Sequence, residues 1–483
     1  MGKNGRLGID SMKQTNDLTN LRSNDPRHLA LWILYQVIYE QKEASQLLKE
    51  ATGKESLKAV DKRLLLTLVY GVLKHHYALR DRLKPLLNVT NLSNKVWLIL
   101  EIALYQLVFL ERVPSHAIVN EAVNMAKVVG EERASGLVNG VLRNVIRESM
   151  TDEADSSSDD ARVQLFTYDD TDKGLSRRFS IPLKLIKLFR IQYGLTVTKK
   201  MLSSFETNPK LSFRVANEKS SREAMIHRMR ADGYPVEKST IVATGIIGLD
   251  SSLLTSYYFD QGLITVQDES SQIVALSLKT TDDAIVYDAC SAPGGKTSHI
   301  AQLVPKGHVF ATEIADSKKD LITDNLQRLN LSDRVTVQIA DAREADKLFE
   351  PEKFDAVLID APCSGMGLLR RKPDIRYHKT NQDIVALSVI QREILEAVAP
   401  LVKVGGHLVY STCTLTQQEN QLQVLSFLKN HPEFEVSSLE MIESVSPSFL
   451  KEALTPEGFL EILPHYAETD GFFIAKLAKR NKL

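Results

Sequence analysis

Two periodicities divide this chain. Up to about residue 150, apolar side chains recur at helical spacing, first as Leu31, Leu34, Tyr35 and Ile38. Asp25-Pro26 supplies an N-cap and a first-turn proline for that run. Further helices are predicted over Lys58–Leu79, Asn94–Leu110, His116–Val129 and Glu132–Arg147, with no strand-like alternation. From Leu175 the pattern is again helical, and then it changes. Leu211–Val215 alternates as a strand, Ser221–Ala231 is helical, and Ile241–Leu249 and Gly262–Val266 are strand-like. After Gln267, short apolar runs alternate with helical stretches: Ala284–Tyr287, Val309–Thr312, Val335–Ile339, Ala356–Ile359 and His407–Tyr410. That alternation predicts an α/β domain with a doubly wound, mostly parallel sheet. Phe459–Leu463 and Gly471–Leu477 complete it as an antiparallel hairpin at the sheet edge.

The expected organisation is a polar tail over residues 1–24, an all-α domain over 25–150, an acidic linker over 151–174, a small helical and α+β module over 175–266, and an α/β catalytic domain over 267–483. Residues 151–160 are acidic and serine-rich, with no large apolar side chain beyond the first positions, and cannot build a core.

Composition narrows the setting. The net charge of −1 on 483 residues announces no global attraction to nucleic acid, so any RNA-binding surface must be local. Candidate patches are Arg63, Lys74, His75, His76, Arg80, Arg82 and Lys84 in the helical domain, and Lys210, Arg214, Lys219, Arg222, Arg228 and Arg230 in the small module. A solvated helix face and a structural bridge are the competing readings. The first 24 residues lack the apolar segment of a secretory signal. The most apolar run, Val96–Leu110, is too short to span a bilayer and contains Glu101 and Gln106. A cytoplasmic protein without membrane partners is expected. There are three cysteines, Cys290, Cys363 and Cys413, with no CxxC pair. Neither a disulfide framework nor a metal site is expected, which leaves the thiols free for packing or chemistry.

Those thiols fall where the predicted strands end. Val357-Leu-Ile-Asp-Ala-Pro-Cys-Ser-Gly365 begins as a fully buried strand and delivers Asp360 and Cys363 at its tip, where ligands bind in open α/β sheets. Alone, the stretch reads equally well as a core cysteine beside a turn. Asp288-Ala-Cys-Ser-Ala-Pro-Gly-Gly-Lys-Thr297 places glycines at a strand-to-helix turn. It is not a phosphate-binding loop, because GxxxxGK[ST] would need glycine where Cys290 stands. Glu313, at the next strand tip, is placed to accept from ribose hydroxyls, and Asp341, one strand further, from an adenine amino group. A nucleoside site without a pyrophosphate pattern points to S-adenosylmethionine. Tyr410-Ser-Thr-Cys413 ends a later strand. In methyltransferase strand order it neighbours Asp360-Ala-Pro-Cys363, which brings both thiols to one crevice. The basic run Arg370-Arg-Lys-Pro-Asp-Ile-Arg376, with Lys379, would suit a substrate carrying phosphates.

Pro293-Gly-Gly-Lys296, Asp360-Ala-Pro-Cys-Ser364, Ser411-Thr-Cys413 and Thr469-Asp-Gly-Phe-Phe473 resemble the RNA (cytosine-5) methyltransferases of the NOL1/NOP2/Sun group. The helical start, with His116-Ala-Ile-Val-Asn-Glu-Ala122 and Gly136-Leu-Val-Asn-Gly-Val-Leu-Arg143, is similar to the NusB antitermination fold. This resemblance, over about residues 25–478, implies a NusB-like RNA-binding domain fused to a class I methyltransferase acting on 16S rRNA, with cytosine 967 as the target. It implies Cys413 as the attacking thiol and Cys363 as the residue that assists product release. Asp360 would bond N3 of the base, and Lys296 would hold that carboxylate. The cofactor set would be Cys290, Ser291, Ala292, Pro293, Gly294, Gly295, Lys296, Glu313, Asp341 and Asp360, although Glu313 stands where aspartate is usual. A monomer is expected. The same chemistry on tRNA, and a non-catalytic RNA-binding or antitermination factor, are the alternatives.

Overall fold

The computed structural model describes residues 24–53, 57–89, 91–152, 168–216 and 220–481. The expected polar tail, most of the acidic linker and Lys219 therefore lie outside the described residues. The chain forms two compact units. The first comprises residues up to Thr198 together with Lys372–His378, and the second comprises Lys199–Arg371 and Lys379–Leu483. Residues 175–198, assigned above to the small module, thus group with the helical unit. So does the short segment Lys372–His378 from far along the chain.

The helical unit contains the helices Pro26–Glu40, Ala44–Thr52, Ala59–Leu83, Asn94–Phe109, Ser115–Val128 and Ser135–Asp152. Asp25 caps the first by accepting from the backbone of Arg27 and His28, with Pro26 at its start, as the sequence predicts. Asn94–Phe109 is apolar almost all round because it is the central helix of the unit, with Leu98 to Leu104 buried. Glu101 on this helix is fully buried, where it accepts from Arg80 at 2.7 Å and lies 2.6 Å from His76 Nδ1.

That pairing corrects one expectation. His76 and Arg80 face Glu101, Arg82 pairs with Glu148 and Lys84 with Asp81. Much of the presumed phosphate-contacting patch is therefore engaged inside its own unit. The inserted segment follows the same logic. Arg376 is buried and donates to the carbonyls of Lys74 and Phe179, so it is structural rather than substrate-facing. None of the described helices is long and apolar enough to cross a membrane.

The second unit begins with a four-stranded antiparallel sheet in the order β2-β3-β1-β4: β1 Leu211–Val215, β2 Val236–Lys238, β3 Gly245–Gly248 and β4 Ile264–Val266. The helix Arg222–Ala231 covers a core of Phe213, Met225, Met229 and Ile246. β2 was not legible in the sequence, and the predicted strand Ile241–Leu249 is shorter. Here too the arginines turn inward. Arg214 is buried and bonds Gln267, Ser298 and Gln302. Arg222 and Arg230 donate to backbone carbonyls of Ser239, Val242 and Val236.

The larger sheet runs β10-β12-β9-β8-β5-β6-β7, with β11 Leu460–Ile462 paired to β12. Its strands are β5 Ile285–Asp288, β6 His308–Glu313, β7 Val335–Ile339, β8 Phe354–Asp360, β9 Val402–Thr412, β10 Phe434–Val436 and β12 Phe472–Lys479. β5 to β9 pair in parallel, and β12 lies antiparallel against β9. β8 carries Ala356 to Ile359 with no exposure because helices cover both faces of the parallel part. β9 starts five residues before its predicted start. Gly405, at φ +81°, does not end it but lets it bulge against Phe354 and Ala356 of β8. The predicted terminal hairpin is present, but β12 lies inside the sheet and the unpredicted β10 forms its edge.

Candidate active site

The strand order reverses between β6 and β8 on either side of β5, so a crevice opens at the C-terminal ends of these strands. The glycine turn sits there. Ser291 bonds the carbonyl of Thr312 through both its backbone and its hydroxyl, and the Gly294 amide donates back to Ser291 at 2.7 Å. Gly294 adopts φ +94° as the N-cap of the helix Gly295–Leu303. A Cβ on Gly295 would meet nothing within 4 Å, so this turn presents open backbone toward the crevice.

Glu313 ends β6, nearly buried, and accepts from the Ala315 amide at 3.0 Å. Asp341 follows β7 and is gripped by the Arg343 guanidinium, with contacts of 2.6 to 3.1 Å. Those bonds hold its carboxyl below the ordinary range. Burial, followed by the fields of Asp288, Asp360, Glu313 and Asp341, pushes the Cys290 thiol well above its ordinary range. Glu313 and Asp341, expected as ribose and adenine ligands, thus lie at the tips of neighbouring strands, as the sequence places them.

Asp360, at the tip of β8, is opposite Ser411 of β9. Its two oxygens are used separately. Oδ1 accepts from the Ser411 hydroxyl at 2.8 Å, and Oδ2 accepts from Lys296 at 2.7 Å. Lys296 reaches it from the first turn of Gly295–Leu303 and sits 5.0 Å above the Phe472 ring. Burial disfavours its charge, but Asp360, Cys413 and Asp288 outweigh that and leave it above the usual lysine value.

Cys363 and Cys413 meet here. Their sulfurs are 3.4 Å apart, on loops leaving adjacent strands. The Gly367 amide donates to the Cys413 carbonyl, and the Gly471 amide donates to the Gly367 carbonyl, so the starts of three segments interlock. The hydrogen bond shared with Cys413, then burial, then the Cys413, Glu419 and Asp360 charges hold the Cys363 thiol well above its ordinary range.

Arg370 and Arg371 do not face this crevice as free cations. Arg370 is 3% exposed and donates to the carbonyls of Ser204, Pro464 and Glu468. Arg371 bridges Asp470 and Asp268. Sequence reading also missed two buried acids. Asp288 has Oδ2 on Thr297 and Oδ1 without a partner, and burial followed by Asp360 pushes it up to about 7. Glu419 is fully buried and accepts from the amide of Ser364, the residue after Cys363. Its signal was an acid within a Thr-rich loop just past a strand-tip cysteine.

This sheet order, with a glycine turn at the switch point and acids on successive strand tips, defines a class I S-adenosylmethionine-dependent methyltransferase. Residues 275–478 match the family profile described as 16S rRNA methyltransferase RsmB/F, and residues 24–147 match the NusB family. The chain belongs to the ribosomal RNA small subunit methyltransferase B family. It is 38% identical to the probable ribosomal RNA small subunit methyltransferase B of Bacillus subtilis (strain 168), covering 95% of this chain and 100% of that one. Identity is 31% to the enzyme of that name from Salmonella dublin, covering 95% and 100% of the two chains. Among solved structures, PH0851 superposes with a TM-score of 0.74 at 26% identity, covering 95% of this chain and 100% of that one. A methyltransferase homolog protein from Pyrococcus horikoshii gives 0.54 at 27%, covering 63% and 97%.

Proposed function

We propose that this protein methylates carbon 5 of a cytosine in 16S rRNA, cytosine 967 by the family resemblance, through a covalent bond between Cys413 and carbon 6 of the base. The observation that carries this reading is the pair of sulfurs 3.4 Å apart beside the Lys296–Asp360 ion pair. Carbon 5 of cytosine is a weak nucleophile. Addition of the Cys413 thiolate to carbon 6 makes carbon 5 enamine-like and able to accept a methyl group. Asp360 bonds N3 and favours its protonation as the thiolate adds. Lys296 fixes that carboxylate and adds positive charge near the reacting sulfur. S-adenosylmethionine, when bound, supplies the methyl group. Loss of the carbon 5 proton to water as base then lets the Cys413–carbon 6 bond break, the electron pair returning to the Cys413 sulfur, and Cys363 assists this release. The target base must be turned out of its stack, since addition comes from the face of the ring.

The NusB-family match and the small-subunit names of the relatives favour rRNA over tRNA. The test is incubation with unmodified small-subunit rRNA, tRNA and labelled S-adenosylmethionine, followed by mapping of 5-methylcytosine. Cys363→Ala is expected to accumulate a covalent protein–RNA adduct and Cys413→Ala to form none. Methylation by Cys413→Ala would overturn the assignment of the nucleophile.

A further inference from the structure

Glu419 is fully buried, yet among the described residues no lysine or arginine pairs with its carboxylate. A buried carboxylate without a cation is costly unless hydrogen bonds satisfy it. Here they do, and their sources are specific. Oε1 accepts from the Ser364 amide at 2.8 Å and from Gln391 Nε2 at 3.2 Å. Oε2 accepts from the Ser364 hydroxyl at 2.5 Å, from Thr416 at 2.6 Å and distantly from Thr414 at 3.5 Å. Gln391 also donates to the Pro362 carbonyl. Gln391 thus links the Pro362 carbonyl to this carboxylate, and Glu419 ties Ser364, which follows Cys363, to Thr414 and Thr416, which follow Cys413. Its own backbone is tied as well, since the Tyr410 hydroxyl, on β9, donates to the Glu419 carbonyl at 2.7 Å.

We propose that Glu419 is a positioning residue for the two-thiol site, its carboxylate setting the distance between Cys363 and Cys413. The proposal rests on the catalytic reading above, but its geometric core does not. Neither cysteine loop is regular structure, and the ladder between β8 and β9 ends at Asp360 and Ser411. Beyond that point the loops are joined through backbone by the Ala361 amide on the Ser411 carbonyl and the Gly367 amide on the Cys413 carbonyl, and through side chains by this carboxylate, the Ser364–Thr414 hydroxyl contact and the sulfur contact itself.

The donors also predict which substitutions are tolerated. The two N–H groups at Oε1 can only donate, whereas the hydroxyls at Oε2 can turn and accept. Glu419→Gln can therefore keep the tie, with its carbonyl toward Ser364 N–H and its amide toward the hydroxyls. Glu419→Asp keeps the charge but withdraws the acceptors by one methylene.

The test reads spacing directly. Phenylarsine oxide binds two neighbouring thiols through two new As–S bonds with release of one water, so mass spectrometry of the treated protein reports whether both sulfurs reach one arsenic. Wild type and Glu419→Gln are expected to form the Cys363–Cys413 bridge at similar rates. Glu419→Asp and Glu419→Ala are expected to form it at least ~10-fold more slowly, and to lose methyl transfer by about 100-fold, the cost of an ångström-scale misplacement. S-adenosylmethionine affinity of Glu419→Asp should stay near wild type and its cooperative unfolding should be retained at a somewhat lower melting temperature, which separates positioning from collapse. Bridging by Glu419→Asp at the wild-type rate, or loss of bridging in Glu419→Gln, would overturn the proposal. If wild type bridges normally but Cys413→Ala still methylates RNA, the catalytic reading fails and the positioning role stands.

Discussion

Lys296 donates to Asp360 across 2.7 Å, joining the first turn of one helix to the tip of β8. Because Ser411 occupies the other oxygen, removing the lysine leaves the carboxylate half-satisfied and free to rotate. Lys296→Met is expected to lower the methyl-transfer rate by about 100-fold, the scale for losing one preorganised charge at a reacting centre. S-adenosylmethionine affinity should change far less. Single-turnover transfer of labelled methyl, with calorimetric binding in parallel, checks both.

Gly367 lies against Cys413 and Gly471. A Cβ there would come 2.0 Å from the Gly471 oxygen and 2.8 Å from the Cys413 oxygen, both backbone atoms that cannot step aside. Gly367→Ala should destabilise the second unit by about 3 kcal/mol, at the upper end of overpacking costs. It should also reduce transfer in whatever fraction still folds. Denaturant unfolding of the variant measures the first effect.

Arg370 gives the opposite expectation from a phosphate ligand. With three backbone carbonyls as its acceptors and 3% exposure, Arg370→Ala should cost stability, about 3 kcal/mol for the orphaned acceptors. The salt dependence of RNA binding should be unchanged, since no phosphate contact is lost. A salt slope lowered by about one would show that Arg370 reaches RNA after all.

Asp288 makes stability depend on pH. Its carboxyl is raised from 3.8 to about 7, by burial first and by Asp360 second. The protonated form is thus favoured by folding. That contribution is complete below about pH 4 and is lost as pH rises through 7. Asp288→Asn lacks it, so the variant's stability relative to wild type should rise between pH 5 and 8. A three-unit shift sets an upper scale of about 4 kcal/mol for the whole change. Asp470, also raised to about 7, keeps its own slope in both proteins. Melting curves across that range decide it, and a pH-independent difference would contradict the assignment.

In the helical unit, Glu101 is the buried acceptor for Arg80 and lies against His76. Glu101→Ala should destabilise that unit by about 3–5 kcal/mol, as expected when one member of a buried pair is removed. Thermal unfolding followed by helical circular dichroism would show it.

The sequence by itself determined most of the elements and which residues stand at the strand tips. Helical spacing placed the longer helices of the first unit to within about five residues but missed Ala44–Thr52, and β1 was read at its observed bounds. The alternation after Gln267 specified the parallel sheet, because buried strands and crossover helices carry different hydrophobic periods. Lys296, Asp360, Cys363 and Cys413 were all legible, since each lies in a short motif where a strand gives way to a loop. What the sequence could not state was which charges face each other. Arg80, Arg214, Arg370 and Arg376 read as basic surface, and only tertiary packing turned them onto Glu101, Gln267 and backbone carbonyls. An arginine in a string of letters has no direction, and its acceptors here are up to 302 residues away. Short strands such as β2 and β10 were missed because their period is too brief to register and only their partners define them. The 3.4 Å between the two sulfurs was decided in the same way. The motifs brought each cysteine to a strand tip, and strand order, the interlocked glycines and the Glu419 carboxylate brought them together.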